Sequence, residues 1–417
     1  MSTGGGLMAA YGAVEPGIDL SVRARELVRV HDAFLGGSSG DKPRDVVARS
    51  WRRVLAMGIH PEGGNARDPF PVDEIERRRR ESRLGLVADE LRRVLTSVAD
   101  ASLFLMVVCD ADGVILWREG AARVRLEADR LGFSEGATWT EERVGTNAIG
   151  TALAEAAPVQ LFSAEHFEQQ QHPWYCTAHP IHDPRTGDLL GVVDVSGPAL
   201  TLHPALVVLV ESAVRLAEAA LWRHHQEGLD RLRREAAPLV GNGPLLVVDD
   251  HGWVAHQSGV AARDRIEAPQ ADRAVAVPGL GLCLPERLAH GWLVRPASGP
   301  IGIVARLGAD GVLEVTSGDH APWRTTLTRR HAQILGILAT AGPTGVGAAA
   351  LSTALYGDAE HVVTARAEVS RLRRVVGALV ATNPYRLAAR GLARTAVLTR
   401  GSPIPATVRL RAASHVA

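Results

Sequence analysis

The stretch Val144-Gly145-Thr146-Asn147-Ala148-Ile149-Gly150-Thr151 opens a run that closes on Leu189-Leu190-Gly191-Val192-Val193-Asp194-Val195-Ser196-Gly197, and its reading decides the fold. The first piece reads as a helix bracketed by glycines, and residues 148–154 are small and apolar enough to lie close against a sheet. The last piece reads as a two-strand hairpin. Residues 183–187 supply the turn chemistry, and 189–195 are too apolar for a surface strand. The segment between them carries Ala164-Glu165-His166-Phe167 and His172-Pro173-Trp174-Tyr175-Cys176 but few structural signals, and such segments often cover a pocket.

These phrases, with the turn Pro180-Ile181-His182-Asp183-Pro184, resemble the GAF sensor domain at the front of acetoin-catabolism and dihydroxyacetone-kinase regulators. The resemblance implies a ligand-sensing module of transcriptional regulators and leaves the ligand unnamed. It places the pocket between strands at 103–109 and 192–195 and a cover running over 162–176. Phe167, Trp174 and Tyr175 would be its walls, and Cys109, His166, His172 and Cys176 its polar contacts.

A chain of 417 residues suggests two to four domains, and 46% hydrophobic with 22% charged residues excludes disorder of the whole. No run approaches the ~20 apolar residues of a membrane span, and no signal pattern opens the chain, so a cytoplasmic protein without a membrane partner is expected. Cys109, Cys176 and Cys283 are odd in number and far apart, which argues against a disulfide scaffold. The net charge of zero hides a split. From residue 321 onward thirteen arginines face only Asp358, Glu360 and Glu368, giving 13 − 3 = +10, so the remainder carries −10. An acidic body with a basic end domain is what a nucleic-acid reader with a separate sensor shows.

Along the chain, residues 1–18 are glycine-rich and expected to be disordered. Residues 19–71 form an N-terminal helical segment, with helices at 20–35 and 41–57, the second carrying Arg49-Ser50-Trp51-Arg52-Arg53; that phrase also resembles the regulators. Gly36-Gly37-Ser38-Ser39-Gly40 matches a nucleophile elbow by spelling only, because no buried strand precedes it. The sensor with its flanking helices spans 72–236. One long helix is expected over 72–100, apolar at Leu84, Val87, Leu91, Val94 and Val98, then a hairpin over 103–117. Another long helix covers 200–234, and its seam of Leu206, Val210, Ala213, Ala217, Ala220 and Leu221 suits either a dimer interface or packing within the chain. Residues 238–320 read as a small β-rich, PAS-like module with no binding motif.

Residues 321–393 carry three helices, at 327–341, 346–356 and 361–376, and a turn Asn383-Pro384-Tyr385-Arg386-Leu387 placed as a β-wing; 394–417 is a basic tail. At 100° per residue Ala365, Val369, Leu372 and Val376 share one stripe of the third helix. The other side presents Val363, Ala367, Ser370, Arg371 and Arg374, flanked by Arg366 and Arg373. Such a face suits a major groove, so Arg366, Ser370, Arg371, Arg373, Arg374 and Arg386 are the candidate DNA contacts. The phrase at 363–373 also resembles the recognition helix of winged-helix domains in actinobacterial GAF regulators.

Acetoin regulators of the enhancer-binding type carry an ATPase. Here no G-x-x-x-x-G-K-[ST] exists, since Thr151 follows Gly150 where lysine is required, and a repressor or recruiter is expected instead. His172, Cys176, His179 and His182 do not have a standard zinc spacing, so neither metal nor cofactor is expected. The fold class expected is α+β multidomain: a GAF sensor with an antiparallel sheet flanked by helices, a PAS-like middle module and a winged helix-turn-helix. The function expected is a ligand-responsive regulator, not an enzyme, whose partners are double-stranded DNA, a small-molecule effector, a second copy and RNA polymerase. The alternative is a GAF-based redox sensor or enzyme like free methionine sulfoxide reductase, with Cys109 and Cys176 as its thiols and the basic tail as a docking element.

Overall fold

Val193 and Val195 face one side of a five-stranded sheet while Val192 and Asp194 face the other, as the two-residue period of a strand requires. The computed structural model describes residues 11–37, 42–63, 68–96, 103–241, 243–271, 273–296, 303–308, 310–317, 323–387, 394–401 and 404–412. It divides into two units, at His225 and Gln226.

The first unit is built on β1 (Leu105–Asp110), β2 (Ile115–Gly120), β3 (Val159–Phe162), β4 (Trp174–His182) and β5 (Leu189–Pro198), in the antiparallel order β2-β1-β5-β4-β3. Its helices are α1 (Leu20–Leu35), α2 (Asp45–Ala56), α3 (Val72–Glu81), α4 (Ala88–Thr96), α5 (Ala122–Arg130), α6 (Glu141–Val144), α7 (Ala148–Glu155) and the first part of α8 (Ala205–Ala236). One face of the sheet, through Met106, Val108, Tyr175, Val193 and Val195, packs on Leu27, Leu91, Leu95 and the α8 residues Leu206, Val210, Ala213, Ala217 and Leu221. The other, through Leu105, Val107, Cys109, Ala178 and Val192, packs on α2, α5 and α7.

Five expectations change here. The tail thought disordered to residue 18 is ordered from Tyr11: Tyr11 and Ala13 are buried, and the Ala13 amide donates to Gln160 Oε1 at 2.9 Å. Residues 1–10 lie outside the described residues, as do Ser38, Ser39 and Gly40 of the elbow-like phrase and Val98 of the apolar stripe. The 19–71 segment is no separate domain, because Val30, Val47, Trp51 and Val54 are buried in the sheet's own core. The single helix expected over 72–100 is two. Ser82 turns to extended backbone and its hydroxyl caps the amide of Leu84, which starts a short 3-10 turn, Arg83–Leu86, before α4.

The pocket cover is the fourth change: Phe162 belongs to β3 and Trp174 to Cys176 belong to β4, so both ends of the expected cover are sheet. The fifth concerns the α8 seam. Leu206, Val210, Ala213, Ala217 and Leu221 are buried against the sheet of their own chain, and the seam is not free to join a second copy. Val210→Ala is therefore expected to cost about 2 kcal/mol of stability in a denaturant titration and to leave the molecular mass by light scattering unchanged. A dissociating oligomer with unaltered stability would contradict this packing.

The glycine phrase has a structural reason. Gly145 takes φ +79°, and Asn147 caps α7 by accepting from the Gly150 amide at 2.9 Å. A Cβ on Gly150 would sit 2.6 Å from the backbone nitrogen of Glu141, so only glycine lets α7 lie this close to α6. Glu141 is buried in a polar knot: it accepts from Ser50, from Thr151 at 2.9 Å and twice from Arg53 at 2.7 and 2.8 Å, while Thr146 lies 2.7 Å from the Ser50 hydroxyl. The phrases at 49–53 and 145–151 are thus two halves of one clamp.

In the second unit, β6 (Leu245–Val248), β7 (Val254–Ser258), β8 (Val275–Val277), β9 (Gly281–Cys283), β10 (Glu286–Leu288) and β11 (Gly291–Val294) make a sheet of order β10-β11-β6-β7 and a small β8-β9 hairpin. Strands β12 (Ile303–Leu307), β13 (Val312–Ser317) and β14 (Trp323–Thr326) follow, then α9 (Arg329–Ala341), α10 (Ala348–Tyr356), α11 (Val362–Val376), β15 (Val380–Ala381), β16 (Arg386–Leu387), β17 (Arg394–Gly401) and β18 (Ile404–Ala412). The order β14-β13-β12-β18-β17 joins 303–326 to 394–412. The boundary expected after residue 320 therefore falls inside a sheet, and the expected tail contributes two strands. Ala305, Leu313, Val315 and Trp323 share one core with the three helices.

Candidate functional site

Between the α7 face of the sheet and its covering helices lies a small, partly open cavity of about 20 Å³. It is lined by Leu131, Phe133, Trp139, Asn147, Ala148, Ile149, Gln171, Trp174, Cys176, Asp194 and Ser196. The strand period puts Trp174 and Cys176 of β4 and Asp194 and Ser196 of β5 on this side. Asn147, Ala148 and Ile149 come from the capped start of α7, and Trp139 packs edge-on to Phe133 with ring centroids 4.3 Å apart. The walls are apolar and a few polar groups converge, which is how small-molecule sites are built. The space admits only a ligand of a few heavy atoms.

The polar groups form a buried chain. Ser196 donates to Asp194 Oδ2, the Ser196 oxygen is 3.1 Å from Cys176 Sγ, and His166 Nε2 is 3.3 Å from that sulfur. His166 Nδ1 in turn lies 2.9 Å from the Ser163 carbonyl oxygen. Burial pushes the Asp194 carboxyl up to about 7, against the pull of Ser196 and the Thr177 backbone. Burial likewise pushes the Cys176 thiol well up and His166 down to about 4.

Of the residues expected here, Trp174 and Cys176 line the cavity and His166 stands behind Cys176. Tyr175 points to the opposite face and is buried with α8. Phe167 packs on α1 and α2, and His172 meets His31 with ring centroids 5.0 Å apart. Cys109 is on the right face of β1 but does not reach the cavity, and burial drives its thiol up. The thiol pair has no redox geometry. Cys109 sits opposite Val192 and Cys176 opposite Ser196, four residues further along the intervening β5. That is roughly 13 Å along the strand, against the 4.4–6.8 Å between Cα atoms of a disulfide. Among the described residues no three His, Cys, Asp or Glu side chains are placed to hold a metal ion.

Asn147, Gln171, Asp194 and Ser196 were not expected. A signal existed for two of them. In Val193-Asp194-Val195-Ser196 the polar residues alternate within a run too apolar to face water, so they had to face something inside.

The raised carboxyl has a measurable consequence. An unfolded chain releases the Asp194 proton near pH 4, while the folded one holds it to about 7. The native state binds the extra proton in that window, so this group's contribution to stability falls as pH rises from about 4 to 7. Wild type is therefore expected to lose stability relative to Asp194→Asn between pH 4.5 and 7.5, read from denaturant midpoints. An equal difference at both pH values would mean an ordinary carboxylate.

The second candidate is α11. It buries Ala365, Val369, Leu372 and Val376 and leaves Arg366, Ser370, Arg371, Arg373 and Arg374 exposed. Two of these arginines are engaged: Arg371 pairs with Glu368, and Arg373 Nε donates to the Val380 carbonyl at 3.0 Å. Arg366 and Arg374 make no ion pair among the described residues. The hairpin β15–β16 carries Arg386 half-buried, and reciprocal backbone bonds between Val346 and Tyr385, 2.7 and 3.0 Å, tie it to the start of α10.

Residues 22–219 match the family model described as "MimR, N-terminal domain". The chain belongs to the family of the uncharacterised 47.3 kDa protein in the thcA 5' region of Rhodococcus erythropolis, with 31% identity over 384 residues, 90% of this chain and 72% of that protein. It is 34% identical over 186 residues to the acetoin dehydrogenase operon transcriptional activator AcoR of Bacillus subtilis, which is 44% of this chain and 30% of that one. It is 30% identical over 191 residues to the propane 2-monooxygenase operon transcriptional activator MimR of Mycolicibacterium smegmatis, 44% of this chain and 31% of that one. The match thus spans about a third of the length of these two activators. Among solved structures, the Escherichia coli DhaR(N)–DhaL complex aligns with 60% of this chain and 99% of that one, at 18% identity and a TM-score of 0.42. Among the described residues no helix is long and apolar enough to cross a membrane.

Proposed function

We propose that this protein is a ligand-responsive transcriptional regulator: a GAF-type sensor in the first unit takes a small effector into the cavity, and a winged helix in the second binds duplex DNA through α11. The observation that carries the DNA half is the division of α11, apolar on the buried stripe and cationic with a small Ser370 on the exposed one. Phosphate contacts by such arginines release counterions, and a close-approaching helix reads base edges in the major groove. Relatives named as activators of catabolic operons support the same class. The redox or enzymatic reading lacks a paired thiol and an activated one, since burial raises both Cys109 and Cys176.

The test is selection of the full chain on a randomised duplex library, followed by fluorescence anisotropy on the enriched sequence. Binding should weaken steeply between 50 and 200 mM salt. A chain that enriches no sequence and fails to bind duplex even at low salt is not a DNA-binding regulator.

A further inference from the structure

Asp194 is 1% exposed, and it is the one carboxylate on the cavity wall. Its Oδ2 accepts from Ser196 and the Thr177 backbone also draws on the carboxylate, while its Oδ1 is buried and meets no donor in hydrogen-bond geometry. A buried polar atom without a partner is costly, and such an atom on a cavity wall marks where a ligand group belongs. The other polar side chains on the wall, Asn147, Gln171, Cys176 and Ser196, are already engaged with the protein: Asn147 with the Gly145 carbonyl and Gly150 amide, Gln171 with Glu168, Cys176 with His166 and Ser196. The unmet demand is concentrated on one oxygen.

We propose that the cavity binds a small, neutral aliphatic alcohol, with its hydroxyl on Asp194 Oδ1 and its carbon chain against Leu131, Phe133, Ile149 and Trp174. This rests on the sensing role argued above and adds the chemical class of the effector. An anion is excluded, because among the described residues no cationic side chain lines the wall to offset Asp194. An ammonium group carries three donors and meets one unfilled acceptor among apolar walls. A ketone offers no donor to an ionised Asp194. A hydroxyl serves the carboxyl in either state, donating to the carboxylate or accepting from the acid. The titratable neighbours do not blur this near neutral pH: His166, pushed down to about 4, stays neutral, and the buried thiol of Cys176 stays protonated. The size limit agrees, since the space holds few heavy atoms.

The test compares three probes of one skeleton, 2-butanol, 2-butanone and 2-aminobutane, by ligand-observed NMR titration of the full chain at pH 8. The alcohol is expected to bind about tenfold or more tightly than the ketone, the worth of a hydrogen bond to an ionised group. In Asp194→Asn the order should reverse. Ser196 then donates to the amide oxygen, and the amide nitrogen donates into the cavity, where a ketone accepts it. Ketone or amine binding as tightly as alcohol to the wild type overturns the alcohol assignment and leaves small-molecule sensing standing. If none of the three binds, the alcohol assignment falls, while the regulator reading stands or falls on the duplex-binding test. The wild-type comparison decides the matter even if the variant does not fold.

Discussion

Trp51→Ala is expected to remove about 3–5 kcal/mol of stability, the cost of truncating a large buried aromatic. Trp51 is 1% exposed and sits where α1, α2 and the loop after β3 converge. Its ring meets His31 edge-on at 5.2 Å and Phe34 at 4.9 Å, and its Nε1 donates to the Glu165 carbonyl at 3.1 Å. Alanine leaves a void the surrounding side chains only partly fill and strips the Glu165 carbonyl of its donor. Trp51→Phe separates the two losses: it keeps most of the packing and should cost about 1–3 kcal/mol, mainly for the unpaired carbonyl. Chemical denaturation followed by circular dichroism reads both. If Trp51→Ala unfolds within about 1 kcal/mol of the wild type, the N-terminal helices are not part of the first unit's core.

The double change Arg366→Ala, Arg374→Ala is expected to weaken duplex binding about a hundredfold, two contacts each worth roughly a tenfold factor. It should also flatten the plot of log affinity against log salt by about two phosphate contacts. These two arginines are chosen because they are exposed and unpaired by acids, whereas Arg371 is held by Glu368 and Arg373 by the Val380 carbonyl. Arg371→Ala should therefore cost less than either. Arg324→Ala, whose guanidinium pairs with Glu314 on β14's neighbour β13, serves as the control and should leave affinity unchanged. Anisotropy titrations at three salt concentrations decide it. A double variant with wild-type affinity and slope would remove α11 from the interface.

The sheet hairpins, the short α7 and the buried stripe of α11 were legible in the sequence because each rests on a local signal. Asp183 to Gly187 spells a turn, the 189–195 run alternates onto two covered faces, and Ala365, Val369, Leu372 and Val376 recur at helical spacing. What was missed depends on contacts between distant residues. Nothing local in the phrase at 49–53 shows that Ser50 and Arg53 hold Glu141, about ninety residues on. The α8 seam carries the same apolar spacing whether a second copy or the chain's own sheet covers it, and only the fold decides. Tyr175 and Cys176 are adjacent in sequence and so were read as one pocket wall, yet neighbours on a strand face opposite sides. The break at Ser82 was hidden because the apolar stripe of Leu84, Val87 and Leu91 begins beyond it and the charged run 76–81 before it offers no periodicity to interrupt.

The central place of β5 sets the order of events at the ribosome. Its register joins β1 on one side and β4 on the other, and its first residue, Leu189, is translated about eighty residues after β1 ends at Asp110. At 5–20 residues per second, the β1–β2 hairpin waits roughly 4–16 s with an unpaired strand edge and its two apolar faces uncovered. An edge of Leu105-Met106-Val107-Val108 is a template for mispairing with other chains. Expression yield should therefore respond more to slowing translation over 111–188, or to chaperone supply in that interval, than to the same change after residue 200.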